Sequence, residues 1–327
     1  MAAFGEQVLT LEDIARRVVG DYLGVRAGET FLLVTDSTVD ENLSDALLAA
    51  ARETGVDPAH ARIQLRQSSG EEPPPPVAAA MAAADVCLCI ASRSIYHTEA
   101  TGRAKASGTR GCFNAPTDLT AWTDGAMTAD YLAIRKVAER LADRLRGAEW
   151  VSVTSPSGCD INLSIKGREP RGWYTAIVRK PGEVSAFPGG EVSFPPVEGT
   201  SSGIIVLEHV MTDIGRLSEP IRITVKDGIA THITGGEEAK RLVEMIDGVP
   251  GARNIAELGI GLNPAARLSD DITESKKRVG TAHFALGDNA GGYGGYVECS
   301  LHLDGMVFNP TIKVDGELVM DEGDLVI

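Results

Sequence analysis

Two short apolar runs, ETFLLVTD at 29–36 and DVCLCIAS at 85–92, alternate with segments of helical period, and this alternation constrains the fold more than any other feature of the chain. TLEDIARRVVGDYL precedes the first run, with Thr10 placed to cap a helix. DENLSDALLAAARETG follows it as an amphipathic helix stopped at Gly55. The stiff Pro73–Pro76 break and the helical VAAAMAAA then lead into the second run. Strand–helix alternation of this kind implies a mostly parallel sheet covered by helices. No G-x-G-x-x-G or P-loop follows either strand, so a nucleotide-binding fold is not supported. A long helix over about Met127–Leu145 marks a boundary, and residues 1–147 are expected to form an α/β domain.

Beyond Gly147 the texture becomes β-rich. WVSVTSPSGCDINLSIKG reads as a hairpin, PIRITVKDGIATHI carries an Asp-Gly turn, and PTIKVDGELV is a further hairpin. GIIVLEHV adds a strand, and EEAKRLVEMIDG is the one helix among them. Residues 148–327 are therefore expected to form a β-rich α+β domain, and this is the domain that would bind metal. No period of 20–50 residues marks a solenoid.

A net charge of −15 disfavours nucleic acid and anionic membrane surfaces as partners. No apolar run approaches a membrane span. The stretch MAAFGEQVLTLEDIARR lacks the basic and apolar regions of a secretory signal. Five scattered cysteines, with Cys87 and Cys89 read as core, fit reduced thiols in a cytoplasm.

Three segments of the second half carry polar residues in apolar or glycine-rich surroundings. FPGGEVSFPPVEG holds Glu191, and IAELGIGLNP holds Glu257. GTAHFALG holds His283, while SLHLDG holds His302 and Asp304, which share one face of a strand by their i, i+2 spacing. A carboxylate buried alone is costly, so Glu257 requires a cation or donor. Imidazoles and carboxylates converging from separate strands suit a divalent transition metal, and this many ligands suits two ions sharing a carboxylate. Residue by residue the alternative is structural: an ion-paired strand glutamate, or a local histidine–aspartate hydrogen bond.

AELGIGLNPAARL, GTAHFALGDN and HLDGMVFNPTIKVDG, with TSPSGCDINLSIKGR and FPGGEVSFPPVEGTSSG, resemble the metallo-aminopeptidases of the aminopeptidase T type over roughly 110–320. The resemblance implies metal ligation by Glu191, Glu257, His283, His302 and Asp304, with one or two Zn, Co or Mn ions. It also implies a catalytic tyrosine at Tyr293 or Tyr296, a homodimer, and a small-molecule or short-peptide substrate. Hydrolysis of an amide by metal-activated water is the expectation, with Glu257 or Glu274 managing the proton and the tyrosine stabilising the oxyanion. One position departs from the family. In ITESKKRVGTAH, Lys276 stands where relatives carry an acid seven residues before the histidine, and Glu274 lies two residues upstream. Lys276 therefore points to a small anionic or cyclic substrate in place of a simple peptide.

The same superfamily includes the 2,5-dihydroxypyridine dioxygenases, in which iron(II) and dioxygen open a pyridine ring. His283, His302 and Asp304 would supply their two-histidine, one-carboxylate set, and this is the alternative activity. A third alternative is a catalytically inactive binding protein of the same fold. In the first domain, Arg93, Tyr96 and His97 lie just beyond a strand, where α/β sheets bind ligands, but read as a solvated helix start. Lys105 and Arg110 are weaker candidates for meeting a substrate carboxylate. No G-x-S-x-G elbow supports a serine hydrolase.

Overall fold

The structure is a computed structural model that describes residues 9–170 and 175–327. The first eight residues of the N-terminal stretch considered above lie outside the described residues. The chain divides into two compact units, Met1–Leu132 with Tyr174–Gly189, and Ala133–Trp173 with Gly190–Ile327. The division is not a single cut at 147, because the chain returns to the first unit before it enters the second for good.

In the first unit, the two apolar runs are the strands Phe31–Asp36 and Val86–Ile90, each fully buried. They pair in parallel with each other and with Ala59–Ile63 and Arg110–Cys112. The returning segment adds Val184–Ser185 as a fifth parallel strand beside Arg110–Cys112. Helices form where the periodicity places them. Thr10 accepts from the Asp13 amide at 3.2 Å to start Leu11–Arg16, and Asp40 accepts from the Asn42 amide at 2.8 Å to start Glu41–Glu53. The long helix begins later than its periodicity suggests, at Tyr131, and runs to Leu145. Arg110 is corrected as a substrate contact: its guanidinium is buried on Glu29 and on the Leu23 and Gly24 carbonyls.

The second unit is built on a large, predominantly antiparallel sheet. The expected hairpins are present as Trp150–Thr154 with Asp160–Ser164, Ile221–Lys226 with Ile229–Thr234, and Thr311–Val314 with Glu317–Asp321. Asp227 and Gly228 both take positive φ (50° and 76°), as the tight turn between the second pair requires.

Four neighbouring strands matter most: Glu191–Phe194, Ile255–Gly261, Thr281–Gly287 and His302–Phe308. Residues directly opposite in an antiparallel pair share a face. The register sets Glu191 opposite Gly261, His283 opposite Gly259, Glu257 and Asp304 opposite Ala285, and His302 opposite Gly287. All five candidate ligands therefore lie on one face, each with glycine or alanine across from it on at least one neighbouring strand. A bulge between Ile255 and Glu257 inserts Ala256 and resets the alternation, which puts Glu257 on that face. Among the described residues no helix is long and apolar enough to cross a membrane.

Candidate metal centre

Glu257, His302 and Asp304 each bring one ligand atom into a group within 4.8 Å of one another. His302 Nε2 lies 3.0 Å from Glu257 Oε2 and 3.6 Å from Asp304 Oδ1. Its other nitrogen, Nδ1, is 2.8 Å from the Asp288 carbonyl oxygen. A carbonyl only accepts, so Nδ1 carries hydrogen and Nε2 is the nitrogen available to a metal. Burial resists a charge on this imidazole, but the carboxylates of Asp304 and Glu257 beside it outweigh that and raise its pKa to about 10. Glu257 and Asp304 are correspondingly held below the usual carboxylate range, against burial, by His302 and Lys276.

His283 stands beside this group, fully buried, with Nε2 3.5 Å from Glu191 Oε2. Gly259 makes room for it: a Cβ there would fall 2.0 Å from His283 Cε1 and 2.2 Å from Nε2. Burial and the charge of Lys276 lower the His283 pKa, leaving the ring neutral, the form that ligates. Each of Glu191, Glu257, His283, His302 and Asp304 acts electrostatically on at least one other of the set, so the five predicted ligands form one electrostatic cluster.

The cluster contains two lysines. Lys276 Nζ binds Asp304 Oδ2 at 2.7 Å, so the lysine faces inward and is not solvated. Burial disfavours its charge, yet Asp304, Glu191 and Glu257 together raise its pKa well above the ordinary lysine value. Lys277, which sequence reasoning missed, is buried and holds Glu191 through Oε1. Its pKa is lowered, by burial first, with Lys276 repelling it further. A lysine in the run KKR carries no sequence signal of burial, and only the topology reveals this one.

Two expected roles need correction. Glu274 is buried, but both its oxygens accept from the Arg267 guanidinium at 2.7–3.1 Å, which commits the carboxylate to an ion pair and not to proton transfer. Tyr296 is 82% exposed and lies under the Arg168 guanidinium, 5.1 Å from its carbon to the ring centre, so it is not an oxyanion donor. Tyr293, by contrast, stacks on His302 with ring centres 4.5 Å apart and planes 21° apart.

The residues fit a resident cation. Among the described residues, buried side-chain atoms without a hydrogen-bond partner include Glu191 Oε2, both His283 ring nitrogens and Asp304 Oδ1. Four buried polar atoms without hydrogen bonds, on three neighbouring side chains, are costly unless something binds there. Lone-pair nitrogen and carboxylate oxygen together suit a first-row transition ion.

A solved structure of 2,5-dihydroxypyridine dioxygenase from Pseudomonas putida KT2440 shares the fold, with TM-score 0.79 and 20% identity, over 97% of this chain and 96% of that one. Wild-type AmpT from Thermus thermophilus shares it with TM-score 0.71 and 16% identity, over 97% and 99%. No curated protein matches. The superfamily link read from the sequence therefore stands at the level of fold. The family model NicX, 2,5-dihydroxypyridine 5,6-dioxygenase, matches residues 21–327 and overturns the expectation of an amide-cleaving metallo-aminopeptidase. The three donors of the dioxygenase reading, His283, His302 and Asp304, lie within the five of the aminopeptidase reading, and the two additional carboxylates, Glu191 and Glu257, favoured the wrong one. The chain belongs to the NicX family of 2,5-dihydroxypyridine 5,6-dioxygenases.

Proposed function

We propose that the protein opens the ring of a small hydroxylated pyridine with dioxygen, using one iron(II) ion held by His283, His302 and Asp304. The observation that carries this reading is the division of labour within each donor. Lys276 takes Asp304 Oδ2 and leaves Oδ1 unpartnered, and Asp288 takes His302 Nδ1 and leaves Nε2. His283 is buried and neutral, with both nitrogens unpartnered. Two imidazoles and one single-atom carboxylate donor match the facial set of non-haem iron oxygenases. When bound, iron(II) supplies open coordination positions and the one-electron reactivity that dioxygen requires.

The remaining work falls to the chain's own groups. With His302 Nε2 deprotonated, Glu257 is a buried carboxylate that Lys276 keeps ionised, an acceptor for the hydroxyl hydrogen bond of a bound hydroxypyridine. Lys276 favours an anionic substrate over a neutral or cationic competitor, which is selectivity against peptide amines. Tyr293 fixes the plane of the His302 ring by stacking on it.

The test is turnover of 2,5-dihydroxypyridine by protein reconstituted with iron(II). Dioxygen should be consumed mole for mole with substrate, and the reaction should stop under argon. Ring loss that continues without dioxygen, or iron-loaded protein inert toward hydroxypyridines in air, would overturn the reading.

A further inference from the structure

We infer that Lys276 and Lys277 set the capacity of this centre at one divalent ion, by occupying the carboxylate oxygens that a second ion would need. The inference rests on the proposal above for the first ion and concerns what prevents a second. The five donors on the shared sheet face are those that the aminopeptidase T resemblance assigns to one or two ions, and they are numerous enough for two, so donor number does not limit capacity. Two-ion centres hold their metals about 3.5–4 Å apart, a spacing that a carboxylate spans by giving one oxygen to each ion. Here Lys277 Nζ holds Glu191 Oε1 and Lys276 Nζ holds Asp304 Oδ2 at 2.7 Å. Each outer carboxylate thus keeps one oxygen for metal and gives the other to an ammonium.

The ammonium groups are built into place. The short helix Ile272–Ser275 ends directly before them. The Lys276 amide donates to Ile272 O and the Lys277 amide to Glu274 O, both at 3.0 Å. The Lys277 carbonyl accepts from the Asn263 amide at 2.7 Å, tying the segment to the chain just past the Glu257 strand. The lysine side chains are 14% and 7% exposed, so neither sits in bulk water that would screen its charge.

Charge balance points the same way. With both imidazoles neutral, three carboxylates against two ammoniums leave a single negative charge. One divalent ion brings the centre to a single positive charge, which an anionic substrate cancels. A second divalent ion would leave three uncompensated positive charges in a buried site, a costly arrangement.

The experiment titrates chelator-stripped protein anaerobically with manganese(II), counting bound ions by elemental analysis and detecting spin-coupled pairs by electron paramagnetic resonance. Wild type should take one ion per chain with an uncoupled signal. Lys276→Glu combined with Lys277→Met should take two, with a coupled signal. Lys276→Met alone, the change least able to disturb packing, should show a second binding event at least tenfold tighter than any in wild type. Two ions in wild type, or folded variants that stay at one, would overturn the lysines' role and leave the single-iron reading standing. Protein that binds no manganese(II) in any form would overturn the metal reading itself, and this inference with it.

Discussion

Metal binding to this protein should expel close to one proton per ion, and that proton should come from His302. In the metal-free protein the imidazole sits between Glu257 and Asp304 with its pKa raised to about 10. The ligating nitrogen, Nε2, is the one that carries the displaced proton, because Nδ1 donates to the Asp288 carbonyl. At pH 7 the proton therefore competes with metal over about three pH units, a penalty of about 1000-fold or roughly 4 kcal/mol in affinity. Affinity should rise about tenfold per pH unit from 7 toward 10 and then level off. His283 adds nothing to this slope, since burial keeps it neutral. The sign for stability is opposite. The folded pKa lies above the ordinary value of 6.5. The stabilisation of metal-free protein by this cation is thus fully present below about 6.5 and lost as pH rises through about 10. Calorimetric titration with zinc at pH 7 and 8, in buffers of different ionisation enthalpy, measures the proton count directly. A count near zero in wild type would refute the reasoning, because it would mean a neutral His302 in the metal-free protein. His302→Gln should abolish the release.

Three further outcomes follow from the geometry. Gly259→Ala should drive His283 out of its position, costing about 1–3 kcal/mol of stability and most metal retention; full metal content in that variant would remove His283 from the donor set. Glu274→Gln should cost about 3 kcal/mol by leaving Arg267 without its buried partner, while turnover per bound iron persists; lost turnover in folded, loaded protein would restore Glu274 to the chemistry. Tyr293→Phe should retain metal affinity and Tyr293→Ala should weaken it, whereas Tyr296→Ala should change neither affinity nor turnover by more than about twofold, and the metal-binding isotherms of the three variants decide this.

The site was legible in the sequence wherever local pattern carries the physics. His302 and Asp304 share a face because they are two apart in a strand, and Glu257 stands out because a carboxylate in IAELGIG has to be compensated. The bulge at Ala256 was not legible, since nothing in AEL announces which way Glu257 turns. Nor was Lys277, whose partner Glu191 is distant in sequence. The choice between Tyr293 and Tyr296 was hidden by glycines that fix no alternation across residues 291–295. Reaction class was hidden for a different reason: the three donors of the dioxygenase set lie within the five of the aminopeptidase set, so the ligand pattern is common to both. In the fold, the helices and hairpins followed from periodicity and turns. The fifth parallel strand did not, because Val184–Ser185 is too short to show a period.

The register of the four site strands also fixes when the centre can come into existence. Glu191 is aligned by the strand holding Gly261, Glu257 and His283 by each other's strands, and all of these by the strand that carries His302 and Asp304. The pairing of Glu191 with Gly261 joins residues 70 apart in sequence, and distant contacts of that kind are slow to close. A nascent chain therefore has no complete donor set until it has been translated past residue 304 and those strands have zipped together. The ion proposed above would then meet a chain whose site strands are already paired, and a product truncated before the last of these strands should fail to retain it.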